Sequence, residues 1–169
     1  GYGQVVPQDS LSLVAQVSGQ VTDISSSFKT GALVANNTVL ARIDDTNYQQ
    51  ALASANATYQ AAVVSLEEER LQGIQAKDEW TRSGLDGEPL SALVLREPQL
   101  KAAQATLDEA EQSVNSAKRD LAFTSLRAPF NALVVSRDIA LGSYVQAGSA
   151  VATLYSADIA EVAIGLSPS

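Results

Sequence analysis

The side chains in this sequence that could do chemistry are carboxylates, lysines, serines and tyrosines, because the chain contains no Cys and no His. The lack of these two residue types removes thiol nucleophiles, disulfides, Cys/His zinc sites and the commonest general base near neutral pH. Seven of the 30 charged residues fall in two runs, at 67–70 and 77–79, and a charge run on a helix usually forms a solvated face. We therefore expect no catalytic residues, no metal site and no cofactor, and the protein is predicted not to be an enzyme.

Composition also limits the partners. The 169 residues are 46% hydrophobic, typical of a folded domain, and the net charge of −8 comes with no basic run. Such a surface does not attract a phosphate backbone, so nucleic acid is not an expected partner. The sequence has no run of 18 apolar residues and no signal-peptide pattern at its start. Any export signal or membrane anchor is expected to lie outside this sequence.

The stretch 46–122 is predicted to form two long antiparallel helices, which must position any functional residue within it. Apolar residues recur at steps of three and four along both arms, the seam along which two helices wind about each other. In the first arm Glu69 and Gly73 occupy the next seam positions while Leu71 and Ile74 carry an apolar stripe. This pattern predicts that the seam slips there, with a bend or a local change of supercoil. The seam residues are Tyr48, Leu52, Ala55, Tyr59, Ala62 and Leu66 in the first arm and Leu100, Ala103, Leu107, Ala110, Val114, Ala117 and Leu121 in the second.

The turn between the arms is predicted at about 83–97, because two Gly and one Pro within six residues cannot continue a helix. Apolar side chains then gather at this end of the hairpin, at Leu90, Leu93, Val94 and Leu95. Two interpretations stay open: a docking surface for another protein, or a hydrophobic plug that seals the two helix ends.

Two residues beside the turn have roles that the sequence leaves undecided. Trp80, the only Trp, either packs between the helices or anchors a partner, a role for which Trp is enriched. Pro98 either starts the second helix or kinks it.

The segments on both sides of the hairpin have the alternation and turn residues of short strands, and they repeat one pattern. Neither segment is long enough to bury a face alone, so together they predict one small pseudo-symmetric β domain. Asn37 stands where the repeat has a glycine, and Asn tolerates the left-handed backbone better than other non-Gly residues. The repeated positions are Gly31, Val34, Asn37, Leu40 and Ile43, and then Gly142, Val145, Gly148, Val151 and Leu154.

An ordered set of short motifs resembles the periplasmic adaptor, or membrane fusion, proteins of tripartite efflux pumps of the resistance-nodulation-division type. The resemblance covers nearly the whole chain and implies an α+β fold in which a lipoyl-like β-sandwich is split by a long antiparallel α-helical coiled-coil hairpin. The motifs are Val-Ser-Gly-x-Val at 17–21, Ser-Phe-x-x-Gly at 27–31, Leu-x-x-Ile-Asp at 40–44, Asn-Tyr-x-x-Ala-Leu at 47–52, Leu-Arg-Glu-Pro-Gln-Leu at 95–100, Ala-Phe-Thr at 122–124 and Leu-Arg-Ala-Pro-Phe at 126–130. The implied domains are the first half of the lipoyl-like domain at 1–45, the hairpin at 46–122, the second half at 123–157 and the start of a β-barrel domain at 158–169.

What the resemblance implies for function is an adaptor that bridges an inner-membrane efflux transporter and an outer-membrane exit channel, for export of drugs or other small molecules. In such proteins the hairpin tip meets the channel, the lipoyl domains pack side by side into a ring, and domains absent from this sequence grip the transporter. The implied location is the periplasm, with an inner-membrane anchor that lies outside this sequence. The implied channel contacts are Arg82, Leu85 and Ser91, which match the family's residue types at compressed spacing, together with Leu90 and Leu93.

Three alternatives follow from the same residues. An adaptor of a protein-secretion or ATP-driven exporter would share the fold but serve another cargo. A lipoyl or biotinyl carrier domain would need a modified Lys on its central hairpin, but the only Lys in the two β segments is Lys29, away from the junction. If the protein were only a structural coiled coil, the split β domain would have no part in its function.

Overall fold

A computed structural model of the protein describes residues 3–7, 10–85, 87, 89, 91–157 and 160–164. The fold is a mixture of helix and sheet, as predicted, and divides into two compact units. One unit combines Gly1–Asn47 with Asp120–Ser169, and the other is Tyr48–Arg119. Within the described ranges, neither helix is both long enough and apolar enough to cross a membrane.

The β unit contains two four-stranded antiparallel sheets and a separate strand pair. Its described strands are β1 (Gly3–Pro7), β2 (Ser10–Val14), β3 (Gly19–Ile24), β4 (Leu33–Val34), β5 (Val39–Ile43), β6 (Ser125–Arg127), β7 (Ala132–Arg137), β8 (Tyr144–Val145), β9 (Ala150–Ser156) and β10 (Ala160–Ile164). One sheet has the order β2-β9-β7-β4 and the other the order β6-β5-β3-β8. Strand β1 pairs with β10, from Gly3 opposite Ile164 to Pro7 opposite Ala160.

The two four-stranded sheets are built alike, which confirms the internal repeat seen in the sequence. Strands β2, β9, β7 and β4 hold the same places in one sheet that β6, β5, β3 and β8 hold in the other. Turn hydrogen bonds repeat as well: the Gly31 N–H donates to the Val134 carbonyl at 2.7 Å, and the Gly142 N–H donates to the Val21 carbonyl at 2.8 Å. The β unit is therefore pseudo-symmetric.

Asn37 takes the place of a turn glycine, as predicted. Its φ is +65°, and that of the equivalent Gly148 is +87°. The Asn37 N–H donates to the Ala128 carbonyl and the Gly148 N–H to the Ala15 carbonyl, both at 2.7 Å. Because Asn enters the left-handed region at modest cost, this turn keeps its geometry without a glycine.

Both halves of the chain fill the core of the β unit. Leu40 and Ile43 from the first half are 0% and 2% exposed, and Val134 and Leu154 from the second half are both 0% exposed. Packing around Gly19 is so close that a Cβ added there would lie 2.4 Å from Cγ2 of Ile43. Because each half supplies only part of the buried surface, the core depends on the two halves closing on each other.

The segments that lead into and out of the helices are hydrogen-bonded to each other inside the β unit. The Ile43 N–H donates to the Thr124 carbonyl at 2.8 Å, and β5 pairs antiparallel with β6. Thr124 is buried, and its hydroxyl donates to the Leu121 carbonyl at 2.6 Å. Chain entry and exit are therefore fixed in neighbouring strands of one sheet.

The two helices are α1 (Thr46–Arg82) and α2 (Glu97–Phe123), and Asp44 stabilises the predicted start of α1. Oδ1 of Asp44 accepts hydrogen bonds from the Thr46 N–H at 3.0 Å and from the Thr46 hydroxyl at 2.7 Å. The backbone bond first, and the hydroxyl bond second, hold the pKa of Asp44 below its ordinary value of 3.8. The ionised carboxylate is therefore the form that suits this helix start.

The helices run antiparallel. Tyr59 of α1 and Asn115 of α2 line one groove, while Glu69, further along α1, pairs with Arg96 just before α2 begins. Pro98 lies in the first turn of α2, so it starts this helix and does not kink it.

The seam between the helices continues in register, so the predicted slip at Glu69 is wrong. Glu69 and Gly73 stay on the shielded side of α1, whereas Leu71 and Ile74 are 52% and 53% exposed. The Glu69 carboxylate can stay on this side because Arg96 neutralises it, and at Gly73 the Leu95 carbonyl lies 3.6 Å from where a Cβ would be. The shielded positions are Tyr48, Leu52, Ala55, Tyr59, Ala62, Leu66, Glu69, Gly73, Ala76 and Trp80 in α1 and Gln99, Ala103, Leu107, Ala110, Val114, Ala117 and Leu121 in α2. The predicted seam residue Leu100 is 37% exposed.

Candidate docking site at the hairpin turn

The turn between the helices is asymmetric. Helix α1 continues to Arg82, but α2 begins only at Glu97, and we call the residues between them, 83–96, the return segment. Of this segment the structure describes 83–85, 87, 89 and 91–96. A groove is lined by Gln72 and Glu79 of α1 on one side and by Val94 on the other. The last turns of α1 are therefore covered by irregular chain and not by a second helix.

Helix α1 ends at a glycine in the left-handed conformation. Gly84 has φ +72°, which ends the helical path. Just before it, the Ser83 N–H donates to the Glu79 carbonyl at 3.0 Å and the Ser83 hydroxyl donates to the Trp80 carbonyl at 2.6 Å. The serine satisfies carbonyl oxygens that the terminated helix would leave without partners.

Trp80 ties the return segment to α1. Its indole N–H donates to the Gly87 carbonyl at 3.1 Å, and Gly87 has φ +101°. The ring is partly shielded and lines a small pocket with Leu85 and Val94. Of the two roles considered for this Trp, these contacts favour packing within the hairpin.

Ser91 organises the second part of the return segment. Its carbonyl accepts from the Val94 N–H at 3.1 Å, and its hydroxyl accepts from the Leu93 N–H at 3.3 Å. The Arg96 N–H then donates to the Leu93 carbonyl at 3.2 Å, and the Glu97 N–H to the Ala92 carbonyl at 3.2 Å. Residues 91–96 are thus a run of consecutive turns that leads directly into α2.

An ion pair crosses from α1 to the end of this run. Nε of Arg96 lies 3.1 Å from Oε2 of Glu69, and Nη2 of Arg96 lies 2.9 Å from both carboxylate oxygens. The two side chains are 34% and 22% exposed, so the pair is partly shielded from solvent. Such two-pronged contacts restrict geometry more than a single ion pair does.

Among the described residues of the turn, three large apolar side chains are exposed to solvent, and we call Leu85, Leu93 and Val94 the tip surface. They are 54%, 61% and 42% exposed. A plug that seals helix ends would bury these side chains, so their exposure favours the docking interpretation. The structure places the predicted Arg82, Leu85, Ser91 and Leu93 in or beside the turn, and Arg82 is exposed. The predicted Leu90 lies outside the described residues.

Sequence reasoning missed the importance of Glu69 and Arg96 for this site. One signal was available, because a carboxylate at a seam position requires a partner if the seam is to stay in register.

The described residues include no group of three or more Asp or Glu side chains close enough to hold a metal ion.

Comparison with known proteins supports an assignment for the fold. The family model described as CzcB-like, barrel-sandwich hybrid domain matches residues 9–158. Over 153 residues the chain is 27% identical to the multidrug resistance protein MdtA of Xenorhabdus bovienii, covering 88% of this chain and 35% of that protein. The chain therefore spans about a third of this curated relative.

Two solved structures share the fold at low sequence identity. The crystal structure of MacA from Actinobacillus actinomycetemcomitans superposes with a TM-score of 0.72 at 22% identity, over 95% of this chain and 53% of MacA. The membrane fusion protein Spr0693 from Streptococcus pneumoniae gives a TM-score of 0.64 at 17% identity, over 95% of this chain and 64% of Spr0693.

Proposed function

Because the chain belongs to the family of CzcB-like barrel-sandwich hybrid domains of membrane fusion, or periplasmic adaptor, proteins of efflux pumps, we propose that its hairpin turn is a docking site for an outer-membrane exit channel. In this proposal the protein is a periplasmic adaptor that bridges that channel and an inner-membrane transporter, for export of drugs or other small molecules. Its role is mechanical and not enzymatic.

Each of the two units corresponds to a domain expected of such an adaptor. The pseudo-symmetric β unit corresponds to a lipoyl-like domain, and α1 and α2 correspond to a coiled-coil hairpin inserted between its halves. Ile43 and Thr124, at the two sides of the insertion, are hydrogen-bonded within one sheet. Load applied to the hairpin therefore reaches paired strands of the β unit, as a bridging role requires.

The single observation that carries the proposal is the exposure of Leu85, Leu93 and Val94 at the turn. Burying each of these half-exposed side chains contributes about 1 kcal/mol, so one tip surface contributes about 3 kcal/mol. A dissociation constant of 1 mM corresponds to a net binding free energy of about −4 kcal/mol, and the contacts must also offset the entropy lost on association. One tip surface alone is thus too weak to hold a channel.

This weakness supports the further proposal that several copies dock together. Copies associated through their β units into a ring would present several tip surfaces at once, and linked weak contacts give high overall affinity. In this proposal the transporter is gripped by other parts of the adaptor. The adaptor is periplasmic and is anchored to the inner membrane.

A point substitution in the full-length protein tests the docking role. Leu93→Asp places a charge in the tip surface, and we expect it to abolish co-purification of an outer-membrane channel and to raise drug susceptibility. The adaptor itself should remain at wild-type level in the periplasm. Leu71→Asp is the matched control, because Leu71 is 52% exposed on α1 outside the return segment. Normal export and normal channel recovery with Leu93→Asp would contradict the proposal.

A further inference from the structure

The Glu69–Arg96 pair fixes the return segment at the place where α2 starts. Glu69 stands on the shielded side of α1 and is 27 positions away from Arg96 in the chain. Three hydrogen bonds of 2.9 to 3.1 Å join the carboxylate and the guanidinium. A guanidinium held by both carboxylate oxygens has little freedom to rotate or translate. The backbone of Arg96 is therefore tied to one position along α1.

The backbone of Arg96 is in a conformation that needs such support. Its φ is +58°, in the left-handed region that an arginine rarely adopts. The Leu100 N–H donates to the Arg96 carbonyl at 3.0 Å, so this residue is the link between the run of turns and the first turn of α2. Strained residues persist where surrounding contacts hold them, and here the side chain supplies such a contact.

A second contact lies one turn further along α1. A Cβ added to Gly73 would be 3.6 Å from the carbonyl oxygen of Leu95, so the return segment passes directly over this glycine. The exposed Leu93 and Val94 come three and two residues before Arg96, respectively. Their placement follows from these two contacts, because the Arg96 N–H donates to the Leu93 carbonyl and the Val94 N–H donates to the Ser91 carbonyl within the same run of turns.

We propose that Glu69 and Arg96 are the positioning residues of the tip surface, holding residues 91–96 against α1 so that Leu93 and Val94 face a docking partner in one arrangement. This inference rests on the proposed docking function. The pair itself makes no contact with the partner in this account. It acts by removing alternative arrangements of the segment, so that less conformational entropy is lost when the partner binds.

The test compares Glu69→Gln with Glu68→Gln in the full-length protein. Glu68 is the exposed neighbour and makes none of the hydrogen bonds described above. Hydrogen exchange at the Val94 and Arg96 amides should accelerate at least tenfold in Glu69→Gln and remain unchanged in Glu68→Gln. Exchange at the Ala128 amide in the β unit should not change in either variant. Channel recovered with Glu69→Gln should fall several-fold, although Leu93 and Val94 are intact.

A charge swap separates positioning from general destabilisation. Glu69→Arg combined with Arg96→Glu should recover slow exchange and channel binding better than either single substitution. Unchanged exchange in Glu69→Gln overturns the inference, and so does normal channel recovery once the segment exchanges rapidly. If the wild-type protein itself recovers no channel, the proposed function fails. The exchange measurement then decides alone whether the pair fixes residues 91–96.

Discussion

Replacing Gly19 with Ala should destabilise the β unit. The added Cβ would lie 2.4 Å from Cγ2 of Ile43, whereas carbon atoms pack favourably at about 3.5 to 4.0 Å. One of the two atoms must therefore move by about 1 Å, and Ile43 is only 2% exposed, so its side chain is surrounded by other protein atoms. Overpacking of this kind costs about 1 to 3 kcal/mol. A smaller gain, about 0.4 to 1 kcal/mol, comes from restricting the unfolded chain.

At the midpoints of these two ranges the net loss is about 1.3 kcal/mol, and it is at most about 2.6 kcal/mol. A loss of about 1.3 kcal/mol lowers the melting temperature of a domain of about 100 residues by roughly 5 to 10 °C. Calorimetry of the purified chain measures this loss. Gly73→Ala is the matched control, because its new Cβ would lie at an ordinary 3.6 Å from the Leu95 carbonyl and alanine favours helix. Gly73→Ala should leave stability unchanged or raise it by up to about 1 kcal/mol.

A double-mutant cycle checks the cause. Ile43→Leu removes the Cγ2 atom from Cβ, so Gly19→Ala should cost less in the Ile43→Leu background than in the wild type. Full stability of Gly19→Ala, or strict additivity with Ile43→Leu, would refute the reasoning about this contact.

Three further predictions concern single residues. NMR titration should place the pKa of Asp44 below 3.8. The stability that this carboxylate contributes is therefore present above its unfolded pKa and is lost as the pH falls through the lowered folded-state pKa. Thr46→Ala should raise the pKa of Asp44, and an unchanged pKa would contradict the role of the Thr46 hydroxyl. Asn37→Gly should raise the free energy of unfolding by at most about 1 kcal/mol, since φ is +65°, and denaturant titration would show this as a slightly higher midpoint. A marked loss of stability would show that the Asn side chain matters more than its backbone. Trp80→Phe, which removes the hydrogen bond to Gly87, should speed hydrogen exchange in the return segment while far-ultraviolet circular dichroism stays constant; unaltered exchange would contradict the tethering role.

Local patterns explain why the helices and the repeat could be predicted. The start of α1 at Thr46 follows from acidic and hydroxyl residues just before a long run without Gly or Pro. Asn37 and Gly148 mark equivalent turns because left-handed backbone restricts residue choice at a single position. These features depend on a few neighbouring residues, so the sequence displays them directly.

Features that depend on distant residues were beyond prediction. The seam stays in register at Glu69 only because Arg96, far along the chain, neutralises the carboxylate. Likewise β1, within the 1–45 segment assigned to the lipoyl-like domain, pairs with β10 in the 158–169 segment. No periodicity in either strand indicates its partner. The domain boundaries themselves stay predictions.

In the candidate site, too, features that depend on neighbouring residues could be predicted and features that depend on distant residues could not. Gly and Pro marked the turn, and clustered apolar residues marked Leu93 as a candidate contact. The sequence could not decide between a docking surface and a plug, because that choice depends on how the return segment lies on α1. The ion pair and the contact of the Leu95 carbonyl with α1 at Gly73 determine that arrangement, and neither is visible as a local pattern.

Site-specific cross-linking tests the docking claim most directly. These 169 residues contain no Cys, so Ala92→Cys in the turn and Ser65→Cys on the exposed side of α1 each introduce one labelling site within them. The full-length variants carry a photoactivatable maleimide and are illuminated with outer-membrane extract of the source cells. We predict an adduct with an outer-membrane channel protein from position 92 and none from position 65. Equal adducts from both positions, or none from position 92, would contradict the assignment of the turn as the docking site.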